Sequence, residues 1–209
     1  MTSTDAVLRS AARPKRADAQ RNALALLEAA AAVFVESGVQ APVRSIAVRA
    51  GVSTATIYRH FPTRADLIVA VYRHQVEALA DAGPVLLEQR DDAFDALELW
   101  VDLFVDFLIT KQGLASVLQS PDPCYDPLHS YFLERLEPVC ARLLTQSMVV
   151  TDCADPSAYE FMRGIGAICA ASGHEARYDP RRLSKLLLAG LRCLPGGDQM
   201  MSRNCGIRP

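Results

Sequence analysis

The sequence predicts an all-α protein with a small N-terminal helical part and a larger C-terminal helical part. Apolar residues recur at spacings of three and four in most segments, and no run alternates apolar and polar residues as a half-buried strand would. Half of the 209 residues are hydrophobic, so the chain can bury a sizeable core. Prolines and glycines stand where helices would begin and end.

The composition favours a cytoplasmic protein that makes no contact with a membrane. No apolar run reaches roughly 18 residues, the length that a membrane-spanning helix needs. The first residues do not resemble a cleavable signal sequence, and none of the six cysteines belongs to a CxxC pair. We therefore expect the cysteines to be reduced and mostly buried in the core.

The net charge of −2 conceals an asymmetry between the two parts of the chain. Residues 1–75 carry a balance of +5, whereas residues 76–209 carry a balance of −7. A polyanion-binding N-terminal module joined to an acidic body would explain this distribution. Chance surface charge is the alternative that the composition leaves open.

The chain is predicted to begin with a disordered arm, which a helix follows. Residues 1–15 lack helical periodicity and are basic; such arms commonly lie on phosphates or in a minor groove. An idle solvated tail is the open alternative. From Asp18 to Ser37 apolar residues fall at helical spacing, and Gly38 stands where a C-terminal cap belongs. The sequence predicts the first helix here.

Two short helices are predicted around a glycine turn. Proline suits the first helical position, so Pro42 is expected to begin a helix that ends at Ala50. Gly51 can adopt a positive φ without steric cost, and Ser53 can cap the next helix, Thr54–His60. This order predicts a helix-turn-helix. The residues expected in its core are Ile46, Ala47, Val52, Ile57 and Phe61.

A fourth, longer helix is predicted to follow. Thr63 and Asp66 have the spacing of a capping box, with aspartate in place of the usual glutamate. The helix is expected to begin at Arg64 and to end near Ala82, because a Gly-Pro pair comes next. That pair marks a predicted domain boundary. The predicted division is a basic arm (1–15), a helix-turn-helix domain (16–82), a larger helical domain (83–195) and a disordered tail (196–209).

The remaining segments also read as helices. Chain breaks are expected at Gly113 and at Pro121–Pro123, and Pro138 is expected to kink a helix. The last two helices each begin with Asp-Pro, an N-cap followed by a first-turn proline. The predicted helices are 94–110, 128–148, 156–172 and 180–194. Four acids share one side of the first of these, and we interpret them as a solvated face rather than a cation site: Asp95, Glu98, Asp102 and Asp106.

Three stretches of the N-terminal part carry a family resemblance. RSIAVRAGVS (44–53), IYRHF (57–61) and TRADL (63–67) resemble the DNA-binding domain of TetR-family transcriptional regulators. The RHFPTR junction is similar to that of an actinobacterial-type subgroup of the family. Ala55 departs from a glycine common in the family, and Pro42 from a threonine. The resemblance implies a helix-turn-helix whose second helix enters the major groove of double-stranded operator DNA.

Matching the family pattern residue by residue implies a set of DNA contacts. Tyr58, His60 and Arg64 would hold phosphates, whereas Thr54, Thr56 and Arg59 are better placed to meet base edges. The alternatives to DNA contact are that Tyr58 is a half-buried tyrosine and that His60 is a surface histidine. The full set of implied DNA-binding residues is Arg44, Thr54, Thr56, Tyr58, Arg59, His60 and Arg64.

The same family plan implies a ligand cavity and a homodimer in the C-terminal part. We expect a small-molecule effector that shifts the separation of the two reading helices, which are the helices, one in each chain, that enter the major groove. For each cavity residue the alternative is ordinary core packing. The expected cavity walls are Trp100, Phe104, Phe107, His129 and Phe132. A core within one chain is likewise the alternative to the dimer. The expected dimer interface comprises Met162, Ile165, Gly166, Cys169, Leu183, Leu187, Gly190 and Leu191.

Two other functions are weighed against a ligand-responsive repressor. A redox- or metal-responsive regulator would use the cysteines of the C-terminal domain, although no two of them have close metal-ligand spacing. An enzyme is not expected, because the sequence contains no GxSxG, HExxH, P-loop or dinucleotide-binding pattern. We accordingly expect no catalytic residue, no metal site and no cofactor.

Overall fold

A computed structural model of the chain describes residues 22–118, 125, 127–147, 156–171 and 177–192, and of residues 110–118 only the helical backbone. The predicted arm, the tail and the proline break at 121–123 lie outside these ranges. Every regular element within them is helical, so the predicted all-α class is confirmed there. No helix in these ranges is both long enough and apolar enough to cross a membrane.

Eight α-helices occupy the described ranges. The first, α1, covers residues 22–37. The others are α2 (Val43–Ala50), α3 (Thr54–His60), α4 (Arg64–Gln89), α5 (Ala93–Leu118), α6 (Pro127–Ser147), α7 (Ala158–Ala170) and α8 (Pro180–Arg192).

Contacts within the chain define two compact units. Among the described residues, one comprises 22–74 with 113–118 and 125, and the other comprises 75–112 with 127–147, 156–171 and 177–192. Two predicted helix ends are wrong. Helix α4 does not end at Ala82 but continues through Gly83 and Pro84, and α5 continues through Gly113.

The core of the first unit joins α1, α2, α3 and the start of α4. Ile46 and Ile57 are 0% and 1% exposed, and full burial of such a side chain is worth roughly 1.5–3 kcal/mol. Val52 and Phe61, which were expected in this core, are only half-buried. The other buried residues include Leu26, Ala30, Phe34, Ala47, Leu67, Ile68, Val71 and Tyr72.

The start of α4 is capped as the sequence predicts. The Thr63 backbone N–H donates to Asp66 Oδ2 at 2.9 Å, and the Asp66 backbone N–H donates to Thr63 Oγ1 at 3.1 Å. These reciprocal bonds satisfy two donors that a helix start otherwise leaves unpaired. The predicted capping box is therefore confirmed, with aspartate at its third helical position.

The cap of α7 differs from the predicted one. Helix α7 starts at Ala158, where Ser157 and Glu160 form a full capping box. The hydrogen bonds from Ser157 hold the pKa of Glu160 below its ordinary value. The Asp-Pro prediction is wrong here because Ser157 with Glu160 supplies both halves of a box two residues later. At α8 the prediction is confirmed, since Asp179 Oδ1 accepts the backbone N–H of Arg181 at 3.0 Å.

The second unit packs α4, α5, α6, α7 and α8 around aromatic and aliphatic residues. Trp100 lies at its centre with 0% exposure, and its Nε1 donates to the Leu79 carbonyl at 3.0 Å. Helices α4 and α6 approach closely at Gly83, where a Cβ atom would lie 2.3 Å from Val139 Cγ1. Other fully buried residues are Leu97, Val105, Leu136, Cys140, Leu143 and Ile165.

A polar cluster also ties α4 to α6 within this unit. Glu77 accepts hydrogen bonds from the Tyr131 hydroxyl and, through both carboxylate oxygens, from the Arg135 guanidinium. The hydrogen bonds from Arg135 and then Tyr131 hold the pKa of Glu77 below its ordinary value. Bidentate pairing of this kind orients both side chains.

Basic residues of α8 pair with the acidic side of α5. Arg181 pairs with Asp106, and Lys185 Nζ lies 3.5 Å from Asp102 Oδ2. The acids interpreted as a solvated face therefore include two, Asp102 and Asp106, that pair with α8 at the surface. Among the described residues, no cluster of His, Cys, Asp or Glu has the arrangement of a metal site.

Candidate nucleic-acid interface and ligand cavity

The turn between α2 and α3 has the geometry that the sequence predicts. Gly51 has a φ of 66°, which L side chains rarely adopt. Its N–H donates to the Val48 carbonyl at 3.3 Å, and the Val52 N–H donates to the Ala47 carbonyl at 3.0 Å. These two bonds form a Schellman motif, which ends α2 and redirects the chain into α3.

Helix α3 presents a polar face to solvent. Ile57 anchors the helix in the core, whereas Thr54, Arg59 and His60 are exposed and Tyr58 is 51% exposed. A helix held by one apolar side with polar side chains opposite can enter a major groove without losing its own packing. Four of the predicted DNA contacts are therefore accessible on α3.

Thr56 has a role in the cap of α3. Its backbone N–H donates to Ser53 Oγ at 3.1 Å, and its hydroxyl oxygen lies 2.9 Å from Ser53 Oγ. The predicted N-cap at Ser53 is thus confirmed. Because its hydroxyl bonds inside the turn, Thr56 offers a DNA base chiefly its methyl group.

Arg64 is half-buried and bonds within its own unit. Its guanidinium donates to the carbonyl oxygen of Val39 and, at 2.7 Å, to that of Ala41. Both acceptors belong to the connection between α1 and α2. The side chain therefore fastens the start of α4 to this connection, a function that the sequence alone did not indicate.

The two arginines of α2 differ in their partners. Arg49 Nη1 lies 2.7 Å from both carboxylate oxygens of Glu36, so α2 is paired to α1 at this point. Arg44 is exposed and forms no ion pair within the described residues. Arg44 is consequently the α2 cation that is available to a phosphate.

A separate cavity lies among α5, α6 and α7 in the second unit. Its volume is about 350 Å³, within the range of small-molecule sites. Three of the five predicted wall residues line it: Phe104, His129 and Phe132. The remaining lining residues are Leu108, Leu133, Tyr159, Met162, Arg163, Gly166, Ala167 and Ala170.

Two predicted wall residues do not line this cavity. Trp100 is fully buried, stacks on Phe104 with centroids 5.3 Å apart, and belongs to the core. Phe107 does not line the cavity but stacks on Phe132, which does, with ring centroids 5.9 Å apart. Aromatic spacing on α5 could not distinguish these residues from Phe104, because the position of the cavity depends on α6 and α7.

Helix α7 contributes to this cavity, which no pattern used for the sequence prediction indicated. Tyr159 and Arg163 line it without having been assigned, and Met162 and Gly166 line it although they were assigned to a dimer interface. Arg163 was the available signal, since it is a cation that follows Phe161 and Met162 in a mostly apolar helix. The guanidinium carbon lies 5.9 Å from the centre of the Tyr159 ring.

Apart from Gly166, which is half-buried and lines the cavity, the residues predicted for a dimer interface divide into two groups. Met162, Ile165 and Cys169 are 4%, 0% and 2% exposed, so they pack inside their own chain. On α8, Leu183, Leu187 and Gly190 are exposed and Leu191 is half-exposed. Leu186 is 60% exposed and belongs to the same apolar face. The α8 face, defined as residues 183, 186, 187, 190 and 191, is therefore accessible to a partner.

The two described cysteines are poorly suited to redox sensing. Burial raises the pKa of Cys140 to about 12 and that of Cys169 to about 11. Thiolates rather than thiols react with oxidants, so burial disfavours the reactive form of both side chains at neutral pH. Cys124, Cys153, Cys193 and Cys205, together with His174, lie outside the described residues.

Comparison with known proteins finds relatives of the N-terminal part in sequence and relatives of most of the chain in structure. Residues 26–71 match the model for bacterial regulatory proteins of the tetR family. A TetR transcriptional regulator from Streptomyces coelicolor is 30% identical, with a TM-score of 0.67, over 80% of this chain and 96% of that one.

Two further similarities cover different shares of their proteins. The transcriptional activator FasR of Mycolicibacterium smegmatis is 37% identical over 84 residues, which span 40% of this chain and only 38% of FasR. The regulator LfrR of Mycobacterium smegmatis, solved with proflavine, is 22% identical over 84% of this chain and 97% of LfrR, with a TM-score of 0.59.

The family match agrees with the geometry of the glycine turn, its capped second helix and the all-helical body. TetR-family regulators are DNA-binding proteins and not enzymes, in line with the expectation from the sequence. The chain belongs to the TetR family of bacterial transcriptional regulators.

Proposed function

We propose that this protein is a homodimeric, cytoplasmic repressor that a small molecule releases from its operator. The exposed polar side chains of α3 carry the proposal. Thr54, Tyr58 and Arg59 are exposed on this helix, and Ile57 of the same helix is buried in the core. We assign DNA binding to residues 16–82 and ligand binding with dimerisation to residues 83–195.

Each proposed DNA contact has a distinct part in binding. Tyr58, His60 and Arg44 hold phosphates and set the register, whereas Thr54 and Arg59 contact base edges. An arginine can donate two hydrogen bonds to guanine, and a threonine methyl can pack on thymine. Thr56 contributes its methyl group and holds the cap, and Arg64 acts mainly by fastening α4.

Alanine variants at Arg44 and Arg59 should separate these parts. Arg44→Ala should weaken binding to operator and random duplexes alike and reduce the slope of log K against log salt by about 1. Arg59→Ala should cost about 1–3 kcal/mol on the operator and relax the base preference at one position. Fluorescence anisotropy on duplexes selected from random DNA measures both effects.

Arg142→Ala is the matched control for these variants, because Arg142 is an exposed arginine of α6. Arg64→Ala requires a thermal-unfolding measurement as well, since it also removes the bonds to Val39 and Ala41. Wild-type affinity, salt slope and base preference in both Arg44→Ala and Arg59→Ala would refute the proposed contacts.

The α8 face supports the dimer. Leu183, Leu186 and Leu187 are 36%, 60% and 38% exposed on a helix whose Ser184 and Leu188 are buried. Isologous pairing of such a face is the commonest route to a soluble dimer. Two reading helices related by a dyad can then occupy half-sites roughly 34 Å apart or further.

An aspartate on the α8 face should disrupt the dimer. Leu186→Asp places a charge in the apolar interface, so we expect a monomer by light scattering and a loss of cooperative operator binding. Leu103→Asp is the control, since Leu103 is a 44% exposed leucine on α5, outside this face. A dimer that survives Leu186→Asp and Leu187→Asp would place the interface elsewhere.

The cavity supports ligand control of DNA binding. A ligand that prefers one arrangement of the dimer shifts the population of separations between the two reading helices. LfrR, which shares the fold, is named with proflavine, and FasR is named an activator. Transcription in vitro from a template carrying the selected operator distinguishes repression, which we propose, from activation.

A further inference from the structure

We propose that the α5–α6–α7 cavity binds a planar aromatic ligand that carries an anionic group, with Arg163 as the partner of the anion. This inference rests on the proposed ligand-responsive function, because it names the chemical class of the effector. The ring geometry, the floor and the charge of the cavity each support it separately.

The aromatic wall of the cavity is close to parallel. The Phe104 and Phe132 rings lie 6.1 Å apart with an interplanar angle of 24°. The His129 ring lies 6.4 Å from Phe132 at an angle of 17°. Offset stacking is a favoured arrangement of aromatic rings, so a flat ligand ring can extend this series.

The part of the cavity floor that the structure describes consists of residues with short side chains or none. Gly166, Ala167 and Ala170 form this part of α7. A Cβ atom added at Gly166 would meet no heavy atom within 4 Å. The space above this surface is therefore available to a ligand, and a flat molecule can cover it without displacing a side chain.

The charge of the lining residues favours a ligand with an anionic group. Among the residues that the structure describes, the lining includes Arg163 and His129 but no Asp or Glu. Arg163 is exposed, contacts the Tyr159 ring, and forms no ion pair within the described residues. A guanidinium in this state can donate two hydrogen bonds to a carboxylate or sulfonate, whereas a cationic ligand would meet a like charge.

Two fluorescent probes that differ in one charged group can test the class. 1-Anilinonaphthalene-8-sulfonate is the anion, and N-phenyl-1-naphthylamine is its neutral counterpart. We expect the anion to bind the full-length protein about tenfold more tightly, as one favourable charge-assisted contact would give. Titration at low and moderate salt measures both affinities, and the preference should decrease as salt rises.

Variants locate the binding site on α7. Arg163→Gln should abolish the preference for the anion, whereas Arg142→Gln on α6 should retain it. Gly166→Leu should fill the space above the floor and weaken both probes at least tenfold. Gly164→Leu is its matched control, because Gly164 also has open space at Cβ but does not line the cavity.

The outcomes separate this inference from the function on which it rests. Equal affinity for the two probes, or an anion preference that survives Arg163→Gln, would overturn the ligand class. Loss of dimerisation in Gly166→Leu with unchanged probe binding would overturn the location. Tight anion binding that leaves operator affinity unchanged would support the ligand class and contradict effector-controlled release.

Discussion

Replacing Trp100 by alanine is expected to lower the free energy of unfolding by about 3–5 kcal/mol. The side chain is completely buried, stacks on Phe104 at 5.3 Å and donates from Nε1 to the Leu79 carbonyl. Its removal leaves a large cavity between α4 and α5 and deprives the carbonyl of this donor. Urea unfolding followed by circular dichroism measures the loss.

Trp100→Phe is the control for that experiment. It keeps an aromatic ring but removes the indole N–H, so we expect a smaller loss, with roughly 0.5–1.5 kcal/mol from the hydrogen bond. Circular dichroism is required because the chain has one tryptophan, and both variants remove its fluorescence. If Trp100→Ala had wild-type stability but no longer bound the two fluorescent probes, Trp100 would belong to the ligand site rather than to the core.

Gly83→Ala should lower the free energy of unfolding by about 1–3 kcal/mol, although alanine is the better helix former. The new Cβ atom would lie 2.3 Å from Val139 Cγ1 and 3.7 Å from Trp100 Cδ1. Valine has one strongly preferred χ1 rotamer in a helix, so a change of rotamer at Val139 costs free energy. The variant must therefore move α4 away from α6 or force Val139 off its rotamer.

Two further variants make the Gly83 prediction specific. Val139→Ala in the same chain should recover part of the loss, which a double-mutant cycle measures as a coupling energy. Gly164→Ala should instead stabilise the protein by about 1 kcal/mol, because its Cβ enters open space within a helix. Similar stabilisation by Gly83→Ala and Gly164→Ala would contradict the close approach of the two helices.

The local features of the first unit were predictable because neighbouring residues produce them. Gly51 has its positive φ, Ser53 caps α3, and Thr63 bonds reciprocally with Asp66. Glycine marks the turn by its identity alone, and both caps join residues three positions apart, so the sequence displays both partners together. The same reasoning failed at Gly83, because a glycine in sequence can be either a helix end or a helix contact.

The cavity was predictable in kind but not in its walls. Aromatic residues of α5 and α6 indicated a ligand site, and Phe104, His129 and Phe132 do line one. Trp100 lies on the same helix as Phe104 and is four positions away, yet it packs in the core. The difference depends on the rotation of α5 against α4, α6 and α7, which no local pattern encodes.

The sequence by itself determined the all-helical class, the helix-turn-helix and the capping residues, since hydrogen bonding and periodicity within one segment specify these features. Only the tertiary structure decided that Arg64 bonds to the carbonyls of Val39 and Ala41, and that Arg163 faces the cavity while Met162 and Ile165 are buried. These outcomes depend on which helix packs against which, and that choice minimises exposed apolar surface over the whole unit rather than within any one segment.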